Sequence, residues 1–380
     1  MYYKKKILMV VHAWGIGGVR TSTINLANAL HEKGYELTIV TTSNKFDGRG
    51  ELHPNIRLIV KEEKQSRFLR KLPYFRNFFE PGMWSTRQSP KKLYRHFIGK
   101  EQFDVEIAQF FGRPLKVVYG SPNGASKKLL WIHSDFSYGN NKGYLSCFKH
   151  KEEAIKAYHA FDVAVSASKG VKESFEKAIG RKKNNEVIYN LNNTKRILEL
   201  ADKDILKKEK FTFVFVGRLS SEKGVMRLLR SVKKLNDEGF DFDCWIVGDG
   251  EERTQAERFI VENEMVNVTM FGQQQNPYPY IKQADFLVLP SKAEAYGLSL
   301  SEALILHTPA LATDCVGPKE ILNDGEYGLL VKNTDESIYE GMKAVLKDNK
   351  LVDFYRENAK ERAAFFQEER ILEQIERILN

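Results

Sequence analysis

SKAEAYGLSLSEALILHTP, residues 291–309, holds two glutamates, Glu294 and Glu302, on either side of a glycine and the start of an apolar helix. The run before it, DFLVLP at 285–290, has the length and apolar character of a buried strand. After it, Leu298, Leu300, Ala303, Leu304 and Leu306 form a helical apolar face. Glu294 therefore falls in a strand-to-helix loop. Gly297 permits a tight turn, and the amides of Tyr296, Gly297, Leu298 and Ser299 open a helix whose first N–H groups have no internal partner and suit a phosphate. Glu302, about one turn further on, faces the same side. The pattern predicts a sugar-nucleotide site. Taken alone, it also fits a solvated loop glutamate and a second glutamate well placed near a positive helix end.

A second loop separates these readings. FTFVFV at 211–216 is a buried-strand run, followed by Gly217-Arg218-Leu219-Ser220-Ser221-Glu222-Lys223-Gly224 and a helical pattern over 225–235. A guanidinium and an ammonium on one such loop can clamp a diphosphate, Arg218 as a fork and Lys223 as a mobile point charge. Together the two loops resemble the retaining, nucleotide-sugar-dependent glycosyltransferases of family 4, whose fold is GT-B. That family's pattern is a glutamate, seven residues and a second glutamate, preceded by a Gly-Arg…Lys-Gly loop, and both stand here intact.

The resemblance implies an α/β chain of two Rossmann-like, doubly wound domains facing a central cleft. It also implies roles: Arg218 and Lys223 on the donor diphosphate, Glu294 on the sugar hydroxyls, Glu302 on the ribose, and the amides from Tyr296 to Ser299 on phosphate or sugar. Phe271, Gly272 and Gln273, after the strand run NVTMFG, match the position where the family holds the nucleotide base by backbone contacts. His133 ends the run LLWIHS; a histidine there can hydrogen-bond a sugar hydroxyl, as the family's often does, or serve as a satisfied structural side chain.

Near the N-terminus, residues 7–11 read as a strand and Trp14-Gly15-Ile16-Gly17-Gly18 as a glycine loop, with a helical pattern over 21–30. Such a loop lets backbone amides approach phosphate. A dinucleotide fingerprint would need its third glycine where Arg20 stands. By the resemblance, Gly17 and Gly18 close the other side of the donor site.

Strand and helix patterns alternate along the whole chain, which argues for parallel, doubly wound sheets. At 380 residues two domains are expected, 1–200 for the acceptor and 201–380 for the nucleotide sugar, with the last helical stretch, 351–379, returning to the first. Cys147, Cys244 and Cys315 show no metal spacing and fit a reducing cytoplasm. The opening basic and apolar residues mimic a signal peptide but lack a cleavage pattern and read as the first strand. Asp241-Phe242-Asp243 has the spacing of a metal-binding Asp-x-Asp motif, yet lies between a helix end and a strand, away from the other loops. No cofactor and no metal are expected, because Arg218, Lys223 and helix-end amides can neutralise a leaving diphosphate.

The net charge of +9 is uneven: residues 61–100 hold eleven Lys or Arg against three acids. Phe68, Leu69, Leu72, Tyr74, Phe75, Phe78, Phe79, Met83 and Trp84 interleave with them. That mixture suits an anionic membrane surface, while core aromatics beneath solvated charges use the same ingredients. Nucleic acid is not an expected partner, since no recognised binding module accompanies the charge. The expected enzyme is a cytoplasmic, membrane-peripheral glycosyltransferase with a UDP-sugar donor and a lipid-linked glycan or polysaccharide acceptor. A sugar-nucleotide epimerase of related fold, and a noncatalytic basic membrane-binding protein, are the alternatives.

Overall fold

Apolar runs without alternation become parallel strands covered on both faces. The computed structural model describes residues 5–12, 17–43, 49–61, 83–138, 142–180, 183–204 and 206–380. It divides into one unit of Met1–Tyr189 with Leu372–Asn380, and a second of Asn190–Ile371.

In the first unit β1 (Lys6–Val11), β2 (Glu36–Thr41), β3 (Arg57–Val60), β4 (Val105–Ala108), β5 (Lys127–Ile132), β6 (Val163–Ser166) and β7 (Asn185–Val187) form one sheet in the order β3-β2-β1-β4-β5-β6-β7. Every pairing in it is parallel. The order reverses between β1 and β4, where Ile7 to Val10 run beside Val105 to Ala108. The terminal helix Glu368–Leu379 contributes its last residues to this unit. There the Lys5 ammonium donates to the carbonyl of Leu379 at 2.8 Å, a cation placed on the negative end of a helix.

The second unit repeats the plan with β8 (Thr212–Val216), β9 (Asp243–Val247), β10 (Val268–Gly272), β11 (Phe286–Leu289), β12 (Ala310–Thr313) and β13 (Leu329–Val331), in the order β10-β9-β8-β11-β12-β13. Its helix Val225–Asp237 buries Val225, Leu228, Leu229, Val232 and Leu235, spaced to share one face. They pack with Ile338, Met342 and Val345 of the helix Asp335–Lys347 and with Phe213 and Phe215 of β8. Each such side chain contributes about 1.5–3 kcal/mol by leaving water. This unit starts at Asn190, not at 201: the helix Thr194–Ala201 buries Ile197 and Ala201, and the carbonyl of Leu200 accepts from Asn276 at 2.9 Å.

The order of the second sheet reverses between β8 and β11. Ligands of open α/β sheets bind beyond the carboxyl ends of strands at such a switch. The loops at 217–224 and 290–297 leave those two strands.

Candidate active site

The two loops are joined by backbone and by charge. The Lys292 N–H donates to the carbonyl of Glu222 at 2.7 Å, and the ammonium of Lys223 forms an ion pair with the carboxylate of Glu294. Gly224 and Gly297, both with positive φ, start the helices Val225–Asp237 and Leu298–Ile305, and neither N-terminus is capped by a side chain. A Cβ on Gly224 would collide with the carbonyl of Pro290, so a glycine is what lets the two loops touch. Arg218 is exposed at the start of the first loop. The Lys223 ammonium and two open helix ends thus lie beside a carboxylate, which is what a diphosphate attached to a hydroxylated sugar requires.

Side chains from other elements hold the second loop by its carbonyls. Arg227, 3% exposed, donates through Nη1 to the carbonyl of Pro290 at 2.9 Å and to Asn333 Oδ1 at 2.7 Å, while its Nε donates to Asp335 at 2.7 Å. Thr313 Oγ1 donates to the carbonyl of Ser291 at 2.5 Å, as does Cys315 Sγ at 3.3 Å. Asn333 Nδ2 donates to the carbonyl of Lys292 at 2.9 Å. The Gly317 N–H meets the carbonyl of Glu294 itself at 3.0 Å. Burial pushes the Cys315 thiol up to about 11, so it acts as a neutral donor.

Glu302 is 7% exposed, and no hydrogen bond or ion pair from a described residue reaches its carboxylate. Desolvation pushes its pKa up to about 7. Tyr296 is buried, while Leu298 and Ser299 are half-buried on the first turn of the helix. Phe271 packs edge-on against Trp245 and Tyr280. Its carbonyl accepts from the Gln274 amide at 2.7 Å and that of Gly272 from the Gly248 N–H at 2.8 Å, so each already has one internal partner. The Gly248-Asp249-Gly250 turn supports the clamp loop: the Leu219 N–H donates to the carbonyl of Asp249 at 3.0 Å. Asp241 pairs with Lys210 at 2.6 Å, and Phe242 is core, at the amino end of β9 and away from these loops.

In the first unit, Gly17, with φ 149, precedes the helix Gly18–Glu32, while residues 13–16 of the glycine loop lie outside the described residues. Arg20 pairs with Glu51. His133 directly follows β5, and its Nε2 lies 3.3 Å from Oε1 of Gln109, the residue after β4. Desolvation pushes the imidazole down to about 4, so it is neutral near pH 7. Of the basic and aromatic segment, residues 62–82 lie outside the described residues. Beyond them, Tyr94 and Phe97 are core, whereas Arg87, Lys91, Lys92, Arg95 and Lys100 are exposed.

Sequence reading missed Arg227, Asn333 and Gln109, and gave Cys315 no part in the site. Arg227 sits among apolar helix positions with an arginine at a buried site, which is the one local sign it carried.

The family model of glycosyl transferases group 1 matches residues 198–362, and that of glycosyltransferase family 4 matches residues 16–196. Among curated relatives, the N-acetylgalactosamine-N,N'-diacetylbacillosaminyl-diphospho-undecaprenol 4-alpha-N-acetylgalactosaminyltransferase of Campylobacter jejuni is 29% identical over 280 residues, 72% of each chain. The capsular polysaccharide biosynthesis glycosyltransferase CapM of Staphylococcus aureus is 24% identical over 46% of this chain and 47% of its own. Anabaena HepE in complex with UDP and glucose superposes with a TM-score of 0.76 over 99% of both chains at 16% identity. Sucrose-phosphate synthase from Thermosynechococcus elongatus does so with a TM-score of 0.77 over 99% of this chain and 98% of its own, at 19% identity. At these identities the likeness concerns the fold, two Rossmann-like domains of the GT-B type. Among the described residues no helix is long and apolar enough to cross a membrane.

Proposed function

Since the chain belongs to the group 1 glycosyltransferases of family 4, we propose that it moves a hexose or N-acetylhexosamine from a UDP-linked donor to a hydroxyl of a lipid-linked glycan, with retained anomeric configuration. The observation that carries this reading is the pair of loops at the β8/β11 switch, where Lys223 meets Glu294 beside two uncapped helix N-termini. UDP as the nucleotide is supported by HepE, whose complex holds UDP and glucose. A lipid-linked acceptor is supported by the Campylobacter relative, named for a diphospho-undecaprenol substrate. Its named α linkage is what retention yields from an α-linked nucleotide sugar.

In this reading Arg218, Lys223 and the amides that open the helix at Leu298 take the charge that grows on the departing diphosphate, as no metal is needed to do. Glu294 holds the sugar hydroxyls and Glu302 the ribose. The acceptor hydroxyl attacks from the face that the leaving phosphate vacates, and that phosphate accepts its proton. Catalysis is then charge stabilisation and positioning, with no enzymatic nucleophile. The basic segment at 61–100 would bring the enzyme to an anionic membrane surface.

A panel of UDP-, GDP-, ADP- and dTDP-sugars, tested by calorimetry against the purified chain, checks the donor class. Binding of one or more UDP-sugars above the others is expected. Preference for another nucleotide would replace UDP, and no binding by any would remove the reading.

A further inference from the structure

Gln109 is a polar side chain in a place where an apolar one would serve the fold. Its N–H donates to the carbonyl of Val10 at 3.0 Å, which fixes it at the carboxyl end of β4, beside the order reversal of the first sheet. It is 1% exposed, its Oε1 faces His133 Nε2 at 3.3 Å, and its own Nε2 is buried without a hydrogen bond. A buried amide with one half unsatisfied opposes folding, so its retention points to the half that is used. An amide oxygen can only accept, hence His133 must donate from Nε2, and in a neutral imidazole the other nitrogen then carries no proton.

We propose that Gln109 is a positioning residue whose Oε1 fixes the His133 imidazole in the Nε2–H tautomer, leaving Nδ1 as the acceptor for a sugar hydroxyl. A glutamate in its place would draw the ring toward imidazolium, whereas the neutral amide orients it without adding charge. The pair is therefore built to read a hydroxyl and not to neutralise a phosphate. The sugar as ligand rests on the function proposed above, but the tautomer does not.

Nitrogen-15 imidazole NMR on the full chain tests this, with the His133 signal assigned by its loss in His133→Asn. The wild type is expected to show the Nε2–H form at pH 7. Gln109→Met should give a tautomer mixture and lower kcat/KM for glycosyl transfer or UDP-sugar hydrolysis about tenfold, with UDP affinity changed less than twofold. Gln109→Glu keeps an acceptor but adds charge, so it should keep Nε2 protonated while Nδ1 takes up a proton at a higher pH than in the wild type. An Nδ1–H ring in the wild type, or unchanged tautomer or unchanged turnover in Gln109→Met, would overturn the proposal. A wild type that binds no nucleotide sugar would remove the functional reading, while its His133 tautomer would still decide the part played by Gln109.

Discussion

Lys223 and Glu294, 71 residues apart in sequence, form an ion pair between the loops that leave adjacent strands β8 and β11. Both side chains are largely withdrawn from solvent, so each holds the other in a neutral whole. A bound diphosphate would compete with Glu294 for the Lys223 ammonium and leave the carboxylate free to accept sugar hydroxyls. Arg218→Ala and Lys223→Ala should each lower kcat/KM roughly 10- to 150-fold, the equivalent of a charge-assisted hydrogen bond, with the fold kept. Glu294→Gln should impair transfer more than binding of free UDP. Near-normal kinetics in both cation variants, measured by UDP release, would disprove the clamp.

Arg227→Met should lower kcat while leaving UDP affinity within a fewfold, because it releases the carbonyl of Pro290 and the partners Asn333 and Asp335 that frame the Glu294 loop. Loss of these bonds should also reduce stability by about 1–3 kcal/mol in urea unfolding. Arg227→Lys retains the charge but not the fork, so it should recover stability in part and kcat less. Equal losses of kcat and UDP affinity would show that Arg227 supports the whole unit and not this loop.

Glu302 makes stability depend on pH. A carboxyl whose pKa is higher folded than unfolded holds its proton more tightly when folded, so its stabilising effect is complete below about 4.5 and is lost as pH rises to about 7. Wild type should therefore lose on the order of 3 kcal/mol across that window, a loss that Glu302→Gln does not share. Affinity for a UDP-sugar, whose diphosphate stays ionised throughout, should rise with pH in the wild type and stay level in the variant. Parallel stability and binding curves for the two proteins would contradict both statements.

Charge reversal at Arg67, Arg70, Lys71 and Arg76 should reduce sedimentation with anionic liposomes at low salt, because juxtamembrane basic residues contribute about 1 kcal/mol each and are screened by salt. UDP-sugar binding should be nearly unchanged. If the wild type does not sediment with such vesicles, the acceptor is presented in solution.

The strands were legible because parallel sheets covered on both faces leave uninterrupted apolar runs such as FTFVFV and DFLVLP. β7 (Asn185–Val187) leaves no such run; with three residues in a polar stretch, its register is set by pairing with β6. The loops carrying Arg218, Lys223, Glu294 and Glu302 were legible because glycine, charge and helix start follow one another locally. Their support was not. Arg227 finds its partners 63 to 108 residues away, and Gln109 meets His133 across 24, so neither role leaves a mark in its own neighbourhood. The helix Thr194–Ala201 could equally have closed the first unit until Ile197 and Ala201 were seen buried in the second.

Proton NMR of the purified wild type incubated with UDP-N-acetylhexosamines and UDP-hexoses in EDTA, recorded from the first minutes, tests the central claim most directly. The account predicts slow release of UDP from at least one donor and a free sugar that appears first as the α anomer, before mutarotation, without added metal. A β anomer appearing first, an epimerised UDP-sugar, or turnover that requires manganese or magnesium would contradict it.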